Sequence, residues 1–135
     1  MPFVLDNSVV CGWLLGKQAT EYTAAIARQL QHDRAVAPPL LRLEYANVLR
    51  TACKRQTLIA ADAQKAIRLL GTLPIETDDQ KPDAAQLLAL ALRYDLTAYD
   101  ATYLELALRK QLPIATQDAE LAQAAQIAGV GVVAA

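Results

Sequence analysis

Histidine and cysteine are scarce in this sequence, and their scarcity argues against several kinds of site. The chain contains one histidine, His32, and two cysteines, Cys11 and Cys53. Neither cysteine has a second cysteine or a histidine at metal-ligand spacing, which argues against a zinc site of the usual type. A Ser–His–Asp or Cys–His arrangement is disfavoured too, because His32 lies in the polar segment 31–34. Two isolated cysteines are typical of a reduced, cytoplasmic protein.

Long apolar runs and a dominant charge are also missing. No stretch approaches the roughly 18 uninterrupted apolar residues of a membrane span, and the first residues carry no basic targeting signal. Thirteen basic residues oppose 14 acidic ones, so non-specific attraction to nucleic acid is not expected. The hydrophobic content of 54% excludes a disordered chain. A length of 135 residues fits one domain over 1–135.

Short apolar runs alternate with longer segments of helical periodicity. The runs predict strands at 3–5, 35–37, 73–75, 113–115 and 130–133. The longer segments predict helices at 8–15, 20–31, 40–54, 60–70, 83–93, 97–110 and 117–128. Apolar strands that alternate with helices predict an α/β fold, with a parallel sheet covered by helices on both faces.

Two aspartates directly follow predicted strands. Asp6 ends the first strand, and Asp118 follows the strand at 113–115. Ligands of open α/β sheets bind beyond the carboxyl ends of the strands, so both positions are candidates for function. Each aspartate also precedes a predicted helix, so the alternative is a purely structural role as a helix N-cap.

Two further acids lie on predicted helices with their side chains on an apolar face. Glu44 shares a stripe with Leu40, Leu41 and Val48, where a carboxylate is costly without a cation or hydrogen-bond donors. A buried salt bridge is the alternative to a functional role. Asp100 lies three residues after Thr97, a spacing that also fits a capping box.

The four acids are more informative together than singly. If the strands that precede Asp6 and Asp118 are neighbours, then both aspartates, Glu44 and Asp100 converge at one edge of the sheet. Carboxylates this close repel one another and persist with divalent cations between them. Oxygen ligands suit Mg²⁺ or Mn²⁺, which can activate water and neutralise a phosphate. Ser8 and Thr116 lie two residues from Asp6 and Asp118, where their hydroxyls could orient water or ligand oxygens.

Four segments in a characteristic order now resemble a known family. They are VLDNSV (4–9), PPLLRLEYANVL (38–49), LTAYDATYLELA (96–107) and PIATQDAEL (113–121). Their order and spacing resemble the PIN-domain nucleases, and among these the VapC-type toxins of toxin–antitoxin pairs. The resemblance covers the whole chain and implies a single PIN domain. It implies a five-stranded parallel sheet of order 3-2-1-4-5, flanked by about seven helices.

The resemblance also implies an activity and a set of site residues. The activity would be a Mg²⁺- or Mn²⁺-dependent endoribonuclease that leaves a 5′-phosphate and a 3′-hydroxyl. Asp6, Glu44, Asp100 and Asp118 would be the metal-site acids, and Ser8 and Thr116 would support them. No histidine base is needed for this chemistry, which agrees with a chain whose one histidine lies outside the four segments.

Partners follow from the resemblance as well. It implies a homodimer and a cognate VapB-like antitoxin whose C-terminal segment packs on the first helices. Trp13, Leu14 and Leu15 lie together on a short predicted helix that cannot bury all three, and Tyr22 begins the next apolar stripe. The antitoxin segment is therefore expected near Trp13, Leu14 and Tyr22.

Three alternatives share parts of this pattern. A haloacid-dehalogenase-like phosphatase needs a second acid at position 8, where this chain has Ser8. A response-regulator receiver needs a lysine after its fifth strand, and none follows the run at 130–133. A non-catalytic binding module with the PIN fold would usually lack some of the acids, and all four are present.

Overall fold

The computed structural model describes residues 1–134. Within them lie four strands: β1 (Phe3–Leu5), β2 (Ala35–Ala37), β3 (Ile75–Thr77) and β4 (Ile114–Ala115). Seven α-helices accompany them: α1 (Asn7–Leu14), α2 (Glu21–Gln29), α3 (Leu40–Lys54), α4 (Ala60–Leu70), α5 (Ala84–Tyr94), α6 (Ala98–Lys110) and α7 (Ala119–Ile127). A 3-10 turn at Gly16–Gln18 connects α1 to α2. The α/β class and the number of helices agree with the sequence-based expectation.

The strands form one parallel sheet in the order β3-β2-β1-β4. The expected fifth strand is reduced to a single parallel bridge between Val132 and Ile114 of β4. Gly129 and Gly131 have φ values of 85° and 81°, far from extended backbone. The run at 130–133 therefore cannot continue as a ladder, and the sheet has four strands rather than five.

The third strand begins two residues later than expected. The sequence predicted it at 73–75, but β3 is Ile75–Thr77. Pro74 has no N–H to donate to a ladder, so it can only precede the paired residues. Its carbonyl accepts a hydrogen bond from Ala35 N at 3.0 Å, and strand pairing starts at Ile75.

The core lies around β1, β2 and helix α6. Every residue of β1 and β2 is buried, as expected for central strands of a parallel sheet. Helix α6 packs against β1 and α5, and it buries Tyr103, Leu104 and Leu106 almost completely. Helix α5, by contrast, has no buried residue. Within residues 1–134, no helix is both long and apolar enough to cross a bilayer.

Helix α6 is fixed at both ends, which matters because it carries Asp100. Thr97 caps its start, since the Thr97 hydroxyl oxygen accepts a hydrogen bond from Asp100 N at 3.1 Å. Near its end, the Arg109 guanidinium bridges two buried carboxylates. It contacts Glu105 of the same helix at 2.9 Å and Asp78, just after β3, at 2.6 Å. This ion-pair network ties α6 to the sheet, and the sequence analysis did not anticipate it.

Candidate active site

Parallel pairing brings two of the predicted acids to one edge of the sheet. Asp6 directly follows β1, and Thr116 and Asp118 follow β4, the hydrogen-bonded neighbour of β1. Because both strands run in the same direction, these residues emerge at the same carboxyl edge. The Asp6 N–H donates to the Ala115 carbonyl at 3.1 Å, so the two strand ends remain paired up to this point.

Asp6 is a buried carboxylate held by two hydroxyl groups. Its side chain is only 5% exposed, and it makes no capping hydrogen bond to α1, although Asp6 occupies the N-cap position. Instead, Oδ2 accepts hydrogen bonds from the Ser8 and Thr116 hydroxyls, each at 2.7 Å. Both hydroxyls contact the same oxygen, so Oδ1 remains unengaged by them. The capping alternative is thus not realised at Asp6.

Backbone groups fix the direction of both hydroxyls. The Ser8 oxygen accepts from Gln117 N at 2.8 Å, and the Thr116 oxygen accepts from Asp118 N at 3.0 Å. Because each hydroxyl has one proton, acceptance from the backbone orients that proton toward Asp6. The Gln117 side chain adds a bond from Nε2 to the Ser8 carbonyl at 3.1 Å. Gln117 is therefore part of the support, and sequence reasoning had missed it.

Asp118 does act as a helix cap. Its Oδ1 accepts hydrogen bonds from Glu120 N at 2.9 Å and Leu121 N at 3.2 Å at the start of α7. This geometry fixes the half-buried carboxylate in one orientation. The second oxygen, Oδ2, takes no part in either bond, so capping and ligand binding are compatible at this residue.

Three carboxylates form the tightest group at this edge. One oxygen from each of Asp100, Asp118 and Glu120 lies within 4.8 Å of the other two. Within residues 1–134, no other His, Cys, Asp or Glu side chains form such a group of three. Sequence reasoning missed Glu120, because an acid in the first turn of a helix is ordinary stabilisation of the helix dipole. Asp6 and Glu44 lie outside this group.

The charges of these acids act on one another. Burial first, and then the nearby charges of Asp118 and Asp6, raise the pKa of Asp100 to about 7. Burial likewise raises the pKa of Asp6, against the lowering effect of its two hydroxyl donors. No ion pair within residues 1–134 includes any of these acids. The chain itself thus leaves the cluster uncompensated, and the donor set fits a hard divalent cation.

Glu44 reaches the site from α3 with a hydrogen bond of its own. The Tyr103 hydroxyl donates to Glu44 Oε1 at 2.6 Å, and Glu44 is half-buried. Burial raises the pKa of Glu44, the hydrogen bond lowers it, and the charge of Asp6 raises it further. The alternative role in a buried salt bridge is not realised, because no described ion pair involves Glu44.

Cys11 and His32 do not contribute to this chemistry. Cys11 is buried, and desolvation raises the pKa of its thiol to about 11, so it stays protonated near neutral pH. His32 is exposed in the turn after α2. Neither residue provides a nucleophile or a base at the acidic edge.

The predicted partner residues lie on two different surfaces. Trp13 and Leu14 line an apolar groove of about 460 Å³ between α1, α2 and α4. Leu69, Leu70 and Leu73 line its other side. Tyr22 does not line this groove; its hydroxyl donates to the Val133 carbonyl at 2.8 Å.

Comparison with known proteins places this architecture in a family. The sequence model of the protein family described as the PIN domain matches residues 3–127 of this chain. Ribonuclease VapC1 of Mycobacterium tuberculosis, in strains CDC 1551 / Oshkosh and ATCC 25618 / H37Rv, is 32% identical over 123 residues. That similarity covers 90% of this chain and 89% of each relative.

A solved structure shows the same fold. The crystal structure of PAE2754 from Pyrobaculum aerophilum matches with a TM-score of 0.72 over 92% of this chain and 84% of that chain. Its sequence identity is 21%, so this similarity concerns the fold alone. The family match and the VapC1 relatives each span most of the sequence. This chain therefore belongs to the PIN-domain family, among its VapC-type members.

Proposed function

We propose that this protein is a divalent-metal-dependent endoribonuclease that acts as the toxin of a toxin–antitoxin pair. The observation that carries the proposal is the uncompensated carboxylate group of Asp100, Asp118 and Glu120, with Asp6 beside it. The name of the Mycobacterium tuberculosis relatives, Ribonuclease VapC1, supports RNA as the substrate.

The site residues divide into ligands and supports. Asp6, Asp100 and Asp118 would hold Mg²⁺ or Mn²⁺, and Glu44 would complete the set or serve a second ion. Ser8 and Thr116 keep Asp6 in place through its Oδ2. A bound cation of this kind supplies charge neutralisation at the scissile phosphate and lowers the pKa of a coordinated water.

The chain's own groups would then orient the reactants. The hydroxyl pair leaves Oδ1 of Asp6 for the cation, and the capping bonds leave Oδ2 of Asp118. Glu44 would orient the attacking water through the oxygen that Tyr103 does not occupy. In-line attack would yield a 5′-phosphate and a 3′-hydroxyl, without a 2′-hydroxyl nucleophile.

Cleavage of RNA in the presence and absence of metal tests this function. Wild-type protein should cut RNA with Mg²⁺ or Mn²⁺, and excess chelator should stop it. Asp6→Asn should abolish cleavage because a neutral amide is a poor ligand for a divalent cation. Asp79→Asn is the matched control, since Asp79 is exposed and lies outside the cluster. Full activity of Asp6→Asn, or of the wild type in excess chelator, would contradict the mechanism. A wild type that cleaves no RNA with either metal would favour the non-catalytic binding module instead.

The apolar groove supports the proposal of an antitoxin partner. We infer that an amphipathic segment of the antitoxin occupies the groove beside Trp13 and Leu14. Leu69 lines it and is 46% exposed in the free chain, whereas Ile67, on the same helix, is 42% exposed and does not line it. Leu69→Asp should therefore abolish co-purification with the protein encoded beside this gene, and Ile67→Asp should not. Equal capture by both variants would place the partner elsewhere.

The homodimer belongs to this proposal too. Helix α5 has no buried residue, although eight of its eleven residues are Leu or Ala. Leu88 and Leu92 are 58% and 74% exposed and lie four residues apart, on one face of the helix. An apolar helix face of this kind fits a second copy of the chain.

A further inference from the structure

Tyr103 is a buried residue that contacts the candidate active site through one hydrogen bond. Its side chain is 0% exposed, and its ring lies within the core, one helical turn after Asp100 on α6. Its hydroxyl donates to Glu44 Oε1 of α3 at 2.6 Å, a short distance typical of a bond to a charged acceptor. Helix α6 thus supplies both Asp100, an acid of the cluster, and Tyr103, the hydrogen-bond donor to Glu44.

A simpler explanation is that Glu44 only satisfies a buried hydroxyl. Tyr45 argues against it, because this tyrosine is also buried, at 1% exposure, and lies next to Glu44 on α3. Within residues 1–134, the Tyr45 hydroxyl has no hydrogen-bond partner. The same core therefore accommodates one phenol without an acceptor. A desolvated carboxylate is a costly acceptor where a neutral group would serve.

We propose that Tyr103 is a positioning residue that holds Glu44 in its orientation for metal and water. The bond occupies Oε1 and fixes the carboxylate plane, so that Oε2 is the oxygen available to the acidic edge. Hydrogen bonds from such outer partners orient carboxylates and tune metal affinity. This inference rests on the proposed function, because it assigns Tyr103 a role in the same site.

Tyr103→Phe tests the role with a matched control in Tyr45→Phe. Both changes remove one hydroxyl from a buried ring and keep the ring itself. Tyr103→Phe should lower the cleavage rate and weaken Mn²⁺ binding, measured by calorimetry, each by about tenfold or more. Tyr45→Phe should change neither. Thermal unfolding of the metal-free proteins shows that both variants fold.

A double-mutant cycle shows whether Tyr103 acts through Glu44. In a Glu44→Ala background, Tyr103→Phe should cause no further loss of rate or of Mn²⁺ affinity. A full additional loss in that background would overturn the proposal, and so would unchanged rate and affinity in the single variant. Wild-type protein that never cleaves RNA would contradict the proposed function instead. The Mn²⁺ isotherms would then still decide the role of Tyr103.

Discussion

At the scale of single residues, the ionisation of Asp100 departs strongly from that of an exposed aspartate. Its pKa is raised to about 7 by burial first and then by the charges of Asp118 and Asp6. No ion pair in the described part of the chain offsets these charges. The metal-free protein therefore holds a repulsive group that a proton, a cation or a neutral substitution would relieve.

Replacement of Asp100 should separate stability from function. Asp100→Asn removes one of the repelling charges, so we expect the metal-free melting temperature to rise by about 3 °C. RNA cleavage should be lost in the same variant. Asp79→Asn, which changes an exposed aspartate outside the cluster, should leave both properties unchanged. A lower melting temperature in Asp100→Asn would mean that the carboxylate stabilises the fold.

The raised pKa values predict that the metal-free protein is more stable at acidic pH than near neutral pH. In the unfolded chain these carboxyls titrate near pH 4, whereas in the folded chain Asp100 titrates near 7 and the pKa values of Asp6 and Glu44 are also raised. Between these values the folded state binds more protons, so their contribution to stability is present at low pH and is lost as pH rises toward 7.

Thermal unfolding in chelator measures this dependence. The wild type should melt at a higher temperature near pH 5 than near pH 8, and Asp100→Asn should reduce the difference. Saturating Mg²⁺ should restore stability at the higher pH, because the cation compensates the ionised cluster. If stability instead increased steadily from pH 5 to 8 in chelator, the carboxylates would not repel as described.

For single residues, the sequence predicted which acids lie at the carboxyl edge of the sheet better than it predicted the contacts that those acids make. Asp6, Asp100 and Asp118 follow from strand ends and an inward helix face, and their convergence follows from the neighbouring strands. Glu120 and Tyr103 could not be found in the same way. Glu120 has the position of a dipole-stabilising acid, and Tyr103 fits the apolar stripe of α6, so only three-dimensional contact reveals either. The catalytic roles of all these residues stay predictions.

Among the elements, helices were predicted more accurately than strands. Helices α3 and α4 have the bounds that periodicity indicated, because each contains at least three turns of consistent pattern. Strands of two or three residues carry too little pattern to fix a boundary. Pro74 and Gly131 decide two of those boundaries through backbone chemistry, because proline lacks an N–H and Gly131 has a positive φ.

Helices α1 and α2 approach each other at a single glycine. A Cβ added to Gly12 would lie 2.3 Å from the Thr23 methyl carbon and 2.9 Å from the Gln18 carbonyl oxygen. Gly12→Ala should therefore destabilise the protein by about 1–3 kcal/mol, because a backbone oxygen and a buried threonine must both move.

A second glycine offers the control. Gly16 has nothing within 4 Å of an added Cβ, so Gly16→Ala should change the free energy of unfolding very little. Urea titration of both variants gives the comparison. Equal stability of the two variants would show that α1 and α2 can separate at no cost.

For the whole molecule, the exposed apolar face of α5 predicts a homodimer. Leu92→Asp places a charge at the centre of the proposed contact and should convert the dimer to a monomer, as measured by sedimentation. Leu43→Asp is the control, since Leu43 is 69% exposed on α3, on a different helix. A monomeric wild type at micromolar concentration, or a Leu92→Asp dimer, would remove α5 as the interface.

The two borders of the sheet also affect how the molecule meets other chains. On the β3 side, the Arg42 guanidinium donates to the Ile75 carbonyl at 3.5 Å and to the Thr77 hydroxyl at 2.6 Å. On the β4 side, the chain near Val132 pairs through one bridge before it turns away. The Ile75 carbonyl at β3 and the Ile114 N–H and carbonyl at β4 are thus already engaged, which removes part of the template that β-augmentation needs. We therefore expect other chains to recognise this protein chiefly through the surfaces of its helices.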